Sequence, residues 1–232
     1  SNAGSDGRGA LACLREKHLW IIATLYIGTF GSFIGFSAVF PKLIADTFTG
    51  YSAFQLGTAT ISLAFLGPLV GSLARPFGGK LADRFGGARI TLGALSVMAT
   101  VTVGLVLTLA HANFWLFLAL FLVLFTASGV GNGSTYRMIP AVFALRATMA
   151  SDTEGKTGGV GAARKAAAAL GLVSAIGAYG GFLVPQALGL SISLRGSYTP
   201  AFCIFVAFYI ALMAVTWFCY VRRGTEFANR GV

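Results

Sequence analysis

Between residues 19 and 221 the chain reads as long apolar runs divided by shorter stretches that hold most of its charges. A helix needs about 20 consecutive apolar residues to cross a hydrocarbon core ~30 Å thick. Six runs reach that length: A (Leu19 to Phe40), B (Phe54 to Phe77), C (Ala88 to Leu109), D (Phe114 to Ile139), E (Ala166 to Leu190) and F (Ala201 to Val221). Barrel strands would be about half as long and would alternate apolar with polar positions. These runs do neither, so the pattern predicts an all-α membrane protein with six transmembrane helices.

Composition agrees with that reading. Of the 232 residues 56% are hydrophobic and 10% charged, where about a quarter of a soluble domain would be charged. Seventeen Lys and Arg against seven Asp and Glu give a net charge of +10, which in a soluble protein would suggest a nucleic-acid partner. Here the basic residues sit between the runs: Arg8, Arg15 and Lys17 before A; Lys80, Arg84 and Arg89 between B and C; Arg146, Lys156, Arg164 and Lys165 between D and E; Arg222, Arg223 and Arg230 after F. The other three connections hold only Lys42 and Arg195. Lys and Arg are retained on the cytoplasmic side of short loops, so both termini are expected in the cytoplasm and no nucleic acid is implied. The expected organisation is a tag remnant and N-terminal tail at 1–18, a bundle at 19–221 with a polar, partly helical cytoplasmic loop at 141–165, and a tail at 222–232. The run at Leu19 is too long and too late for a cleaved signal peptide. Cys13, Cys203 and Cys219 are far apart and form no CxxC pair, so neither a disulfide framework nor a metal site is expected, and no cofactor.

Glycines spaced by four let membrane helices approach closely, because packing contacts drive association where lipid is as apolar as leucine. A has Gly31 and Gly35, B has Gly67 and Gly71, D has Gly129 and Gly133, and E has Gly177 and Gly181. C and F have no such pair. The expectation is an inner set of A, B, D and E with C and F against lipid. The pattern repeats every three helices, as a 3+3 inverted repeat would.

Arg75 is a charge inside a span, eight residues before Asp83, hence ~12 Å deeper along a helix. Such a residue costs roughly 2.5–3.5 kcal/mol on insertion scales and normally faces a partner or a substrate path, although a long side chain can also snorkel to the surface. Snorkelling is the reading for Arg137, near the end of D. Tyr26 and Phe30 are four apart on one face of A, a spacing that serves packing or binding. Helix E offers bare backbone at Gly171, Gly177, Gly180 and Gly181 and a hydroxyl at Ser174. Asp6, Glu16, Asp46, Asp83, Asp152, Glu154 and Glu226 fall in predicted tails and loops, and His18 and His111 at span ends, so no buried group is available to relay a proton. Asp83 is expected to work against the start of helix E, beside Arg164 and Lys165. Gly155-Lys156-Thr157 lacks the earlier glycine of a phosphate loop, and Gly129-Val-Gly131-Asn-Gly133 lies in an apolar helix rather than after a strand. No enzymatic motif is left.

Gly79-Lys-Leu-Ala-Asp83-Arg84-Phe-Gly86-Gly-Ala-Arg89 resembles the major facilitator superfamily loop motif, G-x-x-x-D-R-x-G with a trailing basic residue. Thr29 to Ser37 in A, Gly71-Ser-Leu-Ala-Arg75 in B, Gly133-Ser-Thr in D and the glycine-rich run of E are similar to the C-terminal half of nitrate/nitrite porters. The resemblance covers roughly Leu19 to Tyr220. It implies helices seven to twelve of a twelve-helix transporter in a bacterial inner membrane, with nitrate and nitrite as substrates and an N-terminal six-helix half as partner. It further implies that Arg75 is the substrate arginine, that Tyr26 and Phe30 lie beside the anion, that Gly171, Gly177, Gly180 and Gly181 form a nitrate signature, and that Gly79, Asp83, Arg84, Gly86 and Arg89 form a conformational loop. Nitrate/nitrite exchange is the expected activity. A facilitator for another small anion or organic acid, and a membrane assembly subunit without transport, are the alternatives.

Overall fold

The structure is a computed structural model describing residues 14–222 except 57–58, 112 and 155–158. Most of the expected tails, residues 1–13 and 223–232 with Arg8, Arg223 and Arg230, and the loop residue Lys156 lie outside the described residues. Among the described residues five stretches are long and apolar enough to cross a membrane: Lys17–Thr47, Gly87–Leu109, Phe114–Arg146, Ala166–Arg195 and Thr199–Val221.

Span A comprises α1 (Lys17–Tyr26), a π turn (Ile27–Gly31) and α2 (Ser32–Thr47). A π turn disturbs the i→i−4 ladder and is enriched at functional sites. Its Thr29 carbonyl accepts a 2.7 Å hydrogen bond from Ser128 Oγ in span D, which ties the irregular turn to a neighbouring helix. Asp46, expected in a loop, lies in the last turn of α2, where it pairs with Lys42 at 2.9 Å and accepts the Tyr198 hydroxyl proton. Burial first, and then that carboxylate, push Tyr198 up to about 12.

Span B departs most from expectation. Its first part is an antiparallel hairpin of β1 (Phe54–Leu56) and β2 (Ala59–Ile61), with Phe54 opposite Ile61. Thr60 and Ile61 are β-branched, a preference for strand that an apolar-run criterion does not see. Ser62 Oγ then accepts the Ala64 N–H, and α3 (Leu66–Phe85) follows. This helix carries the whole of Gly79 to Arg84, so the expected B–C loop shrinks to Gly86, whose φ of 91° favours glycine. With Arg75, Lys80, Asp83 and Arg84 aboard, α3 is not among the five strongly apolar stretches.

The remaining spans are α4 (Gly87–His111), α5 (Phe114–Glu154), α6 (Gly159–Ala178), α7 (Gly180–Arg195) and α8 (Thr199–Thr216), the last ending in a π turn at Trp217–Val221. Helix D therefore continues well past Ile139, through Pro140, and E is broken at Tyr179.

Helix A packs on E, B on D, and C on both D and F. A methyl group on Gly180 would overlap Gly31 Cα, and one on Gly129 would overlap the Gly71 carbonyl, so A·E and B·D meet backbone to backbone. Phenylalanines fill the centre: Phe40 lies 4.5 Å from Phe121 and Phe36 5.4 Å from Phe205 between ring centroids, and all four are buried. Close approach did not translate into enclosure. B exposes Leu69, Leu73 and Phe77, and E exposes Phe182, Leu183, Leu190 and Leu194, so the expected inner set is not closed in this chain. C and F expose Val103, Leu107, Ile204 and Ile210.

Candidate functional site

Arg75 is the tenth residue of the 20-residue α3, roughly 14 Å from either end at 1.5 Å per residue. Its backbone is held from D, where Gly133 has no side chain to clash with the Arg75 carbonyl. Its side chain enters an aromatic cage. Nη2 donates to the Tyr26 hydroxyl at 3.4 Å, and Cζ is 5.6 Å from the ring centroids of both Phe30 and Tyr136. Tyr26 and Phe30 stack at 4.9 Å across the π turn, and Tyr136 closes the cage 6.3 Å from Tyr26. Each ring face attracts the cation.

The cage leaves the arginine available. Ion pairs among the described residues join Lys42 to Asp46, Arg137 to Asp83 and Arg146 to Glu16. Among those residues no carboxylate pairs with Arg75, and the residue stays exposed despite the cage. A guanidinium presents five N–H donors in a planar fork, and two of them match the edge of a planar oxyanion.

The glycines expected around the anion separate into two kinds. Gly177 supports the cage directly, since any side chain there would overlap the Tyr26 ring; Gly180 meets Gly31, and a Cβ on Gly181 would lie 2.7 Å from Ile34. Gly171 makes no such approach: a Cβ there has nothing within 4 Å.

The loop-motif residues cluster at the end of α3. Asp83 Oδ2 accepts a 2.8 Å hydrogen bond from Arg137 Nη2, and the Arg137 chain passes Gly79 at ordinary contact distance, its Cγ 3.8 Å from where a Cβ would stand. Arg84 lies over Phe85 at 5.2 Å, Gly86 makes the turn, and Arg89 stands in the first turn of α4. The snorkelling reading of Arg137 is corrected: it is the partner of Asp83. The side chains of Arg164 and Lys165, expected beside Asp83, lie outside the described residues.

Two residues escaped the sequence reading. Tyr136 is a phenol in an apolar span, the same signal that singled out Tyr26. Asn132, one turn before it, is buried and its Oδ1 has no hydrogen-bond partner. Ser128, Asn132 and Tyr136 recur every four residues along α5. The outer two touch Thr29 and Tyr26, so Asn132 lies on the same face toward helix A.

No family model matches the chain. It is 41% identical to the nitrate/nitrite transporter NarU of Escherichia coli over 92% of this chain and 46% of that protein. It is 36% identical to the probable nitrate/nitrite antiporter NarK2 of Thermus thermophilus over 91% of this chain and 44% of that one. A nitrite extrusion protein of Bacillus subtilis is 27% identical over 93% and 49% respectively. The chain is thus homologous, over nearly its whole length, to nitrate/nitrite transporters of the family its motifs resemble, and it is an integral membrane protein. It spans less than half the length of these relatives.

Proposed function

We propose that this chain is the C-terminal six-helix half of a nitrate/nitrite transporter, with α3 crossing the membrane in addition to the five strongly apolar stretches, and that it moves the anion by alternating access once joined to an N-terminal half. The observation that carries the proposal is Arg75: an arginine midway along a membrane helix, without a carboxylate among the described residues, walled by three aromatic rings and open outward. Facing lipid, that group would cost roughly 2.5–3.5 kcal/mol. Facing a second bundle across a cavity, it is an anion ligand. Arg75 grips nitrate or nitrite, while Tyr26, Phe30 and Tyr136 orient the guanidinium and wall the site. The exposed apolar faces of B and E meet the missing half.

The helix pairing supports a 3+3 inverted repeat. A two-fold axis exchanging A, B and C with D, E and F carries A·E into D·B and C·F into itself, and these are contacts the bundle makes. Both termini lie in the cytoplasm on this reading, where the basic connections gather.

Arg75→Lys in the twelve-helix transporter tests the site. Lysine keeps the charge and reaches as far, but lacks the planar fork. Nitrate binding falls tenfold or more if two charge-assisted bonds become one; unchanged binding rules out the ligand role.

A further inference from the structure

A groove of about 340 Å³ opens on the surface between α3, α4 and α5. Arg89, Gly93 and Val97 line it at successive fourth positions along α4, with Ala127 and Val130 of α5 opposite. It therefore follows the helix axis for ~12 Å, and below Arg89 its walls are aliphatic except for Thr126, whose hydroxyl is taken by the Leu122 carbonyl. Gly93 opens into it: a Cβ there would meet nothing within 4 Å.

Charge is confined to one end. Arg89 is exposed and, among the described residues, pairs with no carboxylate. The nearest acid in sequence, Asp83, is taken by Arg137. Lys80 and Arg84 stand at the same end of the bundle, in the last turns of α3, so the rim carries uncompensated positive charge. The groove is thus a dry slot along the membrane normal with a free guanidinium at the water boundary. A phospholipid has that form: phosphate at the boundary, acyl chain running inward. Basic sites at this level of a membrane bundle attract anionic headgroups.

We infer that this groove binds one anionic phospholipid, its phosphate on Arg89 and one acyl chain lying along Gly93 and Val97. The inference needs only a membrane-embedded bundle and does not rest on the substrate reading. An aliphatic chain fits better than a second helix, because the slot has small side chains along its floor and a single polar anchor at one end.

The test is native mass spectrometry of the delipidated full chain with phosphatidylglycerol or phosphatidylcholine of identical acyl chains. One phosphatidylglycerol adduct should persist at about tenfold lower lipid concentration than the phosphatidylcholine adduct. Arg89→Gln should abolish that preference, Arg89→Lys should retain most of it, and Gly93→Leu, which fills the slot without touching the core, should remove both adducts. Thermal unfolding with added phosphatidylglycerol checks the variants that remain folded: the unmodified chain and Arg89→Lys gain stability, Arg89→Gln does not. Equal binding of the two lipids, or phosphatidylglycerol binding untouched by Arg89→Gln and Gly93→Leu, overturns the inference. So does loss of the adduct when an N-terminal half is joined, since another helix then fills the groove.

Discussion

Arg137 Nη2 donates a 2.8 Å hydrogen bond to Asp83 Oδ2, joining the end of helix B to helix D across 54 positions of sequence. The two side chains are 57% and 52% exposed, and pairs of that kind contribute about 0–1 kcal/mol to stability. We propose that its value is conformational, in fixing B against D at the end where the bundle meets water. Asp83→Asn and Arg137→Gln should each leave the unfolding temperature within about a degree or two and shift the inward/outward balance in the same direction. The double variant should shift it no further than either alone. Distances between spin labels across that face report the populations, and additive shifts would show that the two residues act separately.

Gly180 and Gly171 offer a matched pair in one apolar span. A methyl at Gly180 meets the backbone of Gly31, which cannot rotate away, whereas Gly171 faces open space. Gly180→Ala should destabilise by about 1–3 kcal/mol through overpacking. Gly171→Ala should be neutral or stabilising by up to about 1 kcal/mol, the gain in helix propensity. Unfolding in detergent measures both, and equal effects would mean that the backbone contact of A with E is not what the glycine serves.

What could be read from residues alone follows from range. Apolar runs of membrane length are a local property, so the helical membrane class was legible. The hairpin at 54–61 was not, because Phe54 to Ile61 merges with the run behind it when only hydropathy is counted. Glycine spacing reports close approach, and A does meet E, and B meet D, through those glycines. It says nothing of enclosure, which depends on surfaces outside the chain. Arg75, Tyr26 and Phe30 were singled out separately, and the fold brings them into contact. Tyr136 comes from a third helix, 61 positions after Arg75, and no local pattern announces such a meeting.

Tyr136 itself can be tested for its ring rather than its hydroxyl. If it holds Arg75 through its π face, Tyr136→Phe should bind nitrate like the unmodified transporter. Tyr136→Leu should lose about 0.5–2 kcal/mol, roughly two- to thirtyfold in affinity. Titration of nitrate against each variant decides. Equal loss in Phe and Leu would assign the role to the hydroxyl.

Asn132 is kept buried with Oδ1 unpaired, at a cost of about 1–3 kcal/mol. Unsatisfied polar groups persist where function needs them. Asn132→Leu should therefore raise the unfolding temperature of the bundle while lowering the rate of nitrate uptake by the complete transporter. A destabilised variant with full uptake would show that the amide is a packing element.

The coupling of transport can be argued from which groups the spans lack. A proton-coupled carrier needs a side chain whose pKa moves through the working range when substrate binds, and buried Asp, Glu or His are the usual choices. In this half the acids of the described helices sit at their ends: Asp46 closes α2 against Tyr198 and Lys42, and Asp83 closes α3 against Arg137. The arginine at mid-depth stays protonated, so it contributes a fixed positive charge. A carrier with a fixed charge in its site favours return with an anion aboard, because the empty site would leave that charge uncompensated while the bundles close. On this reading, exchange of nitrate for nitrite is the expected activity. Vesicles holding the complete transporter should take up labelled nitrate when loaded with nitrite, at a rate independent of any pH gradient. Nitrate uptake driven by an inward proton gradient into nitrite-free vesicles would overturn this and direct attention to a titratable group in the N-terminal half.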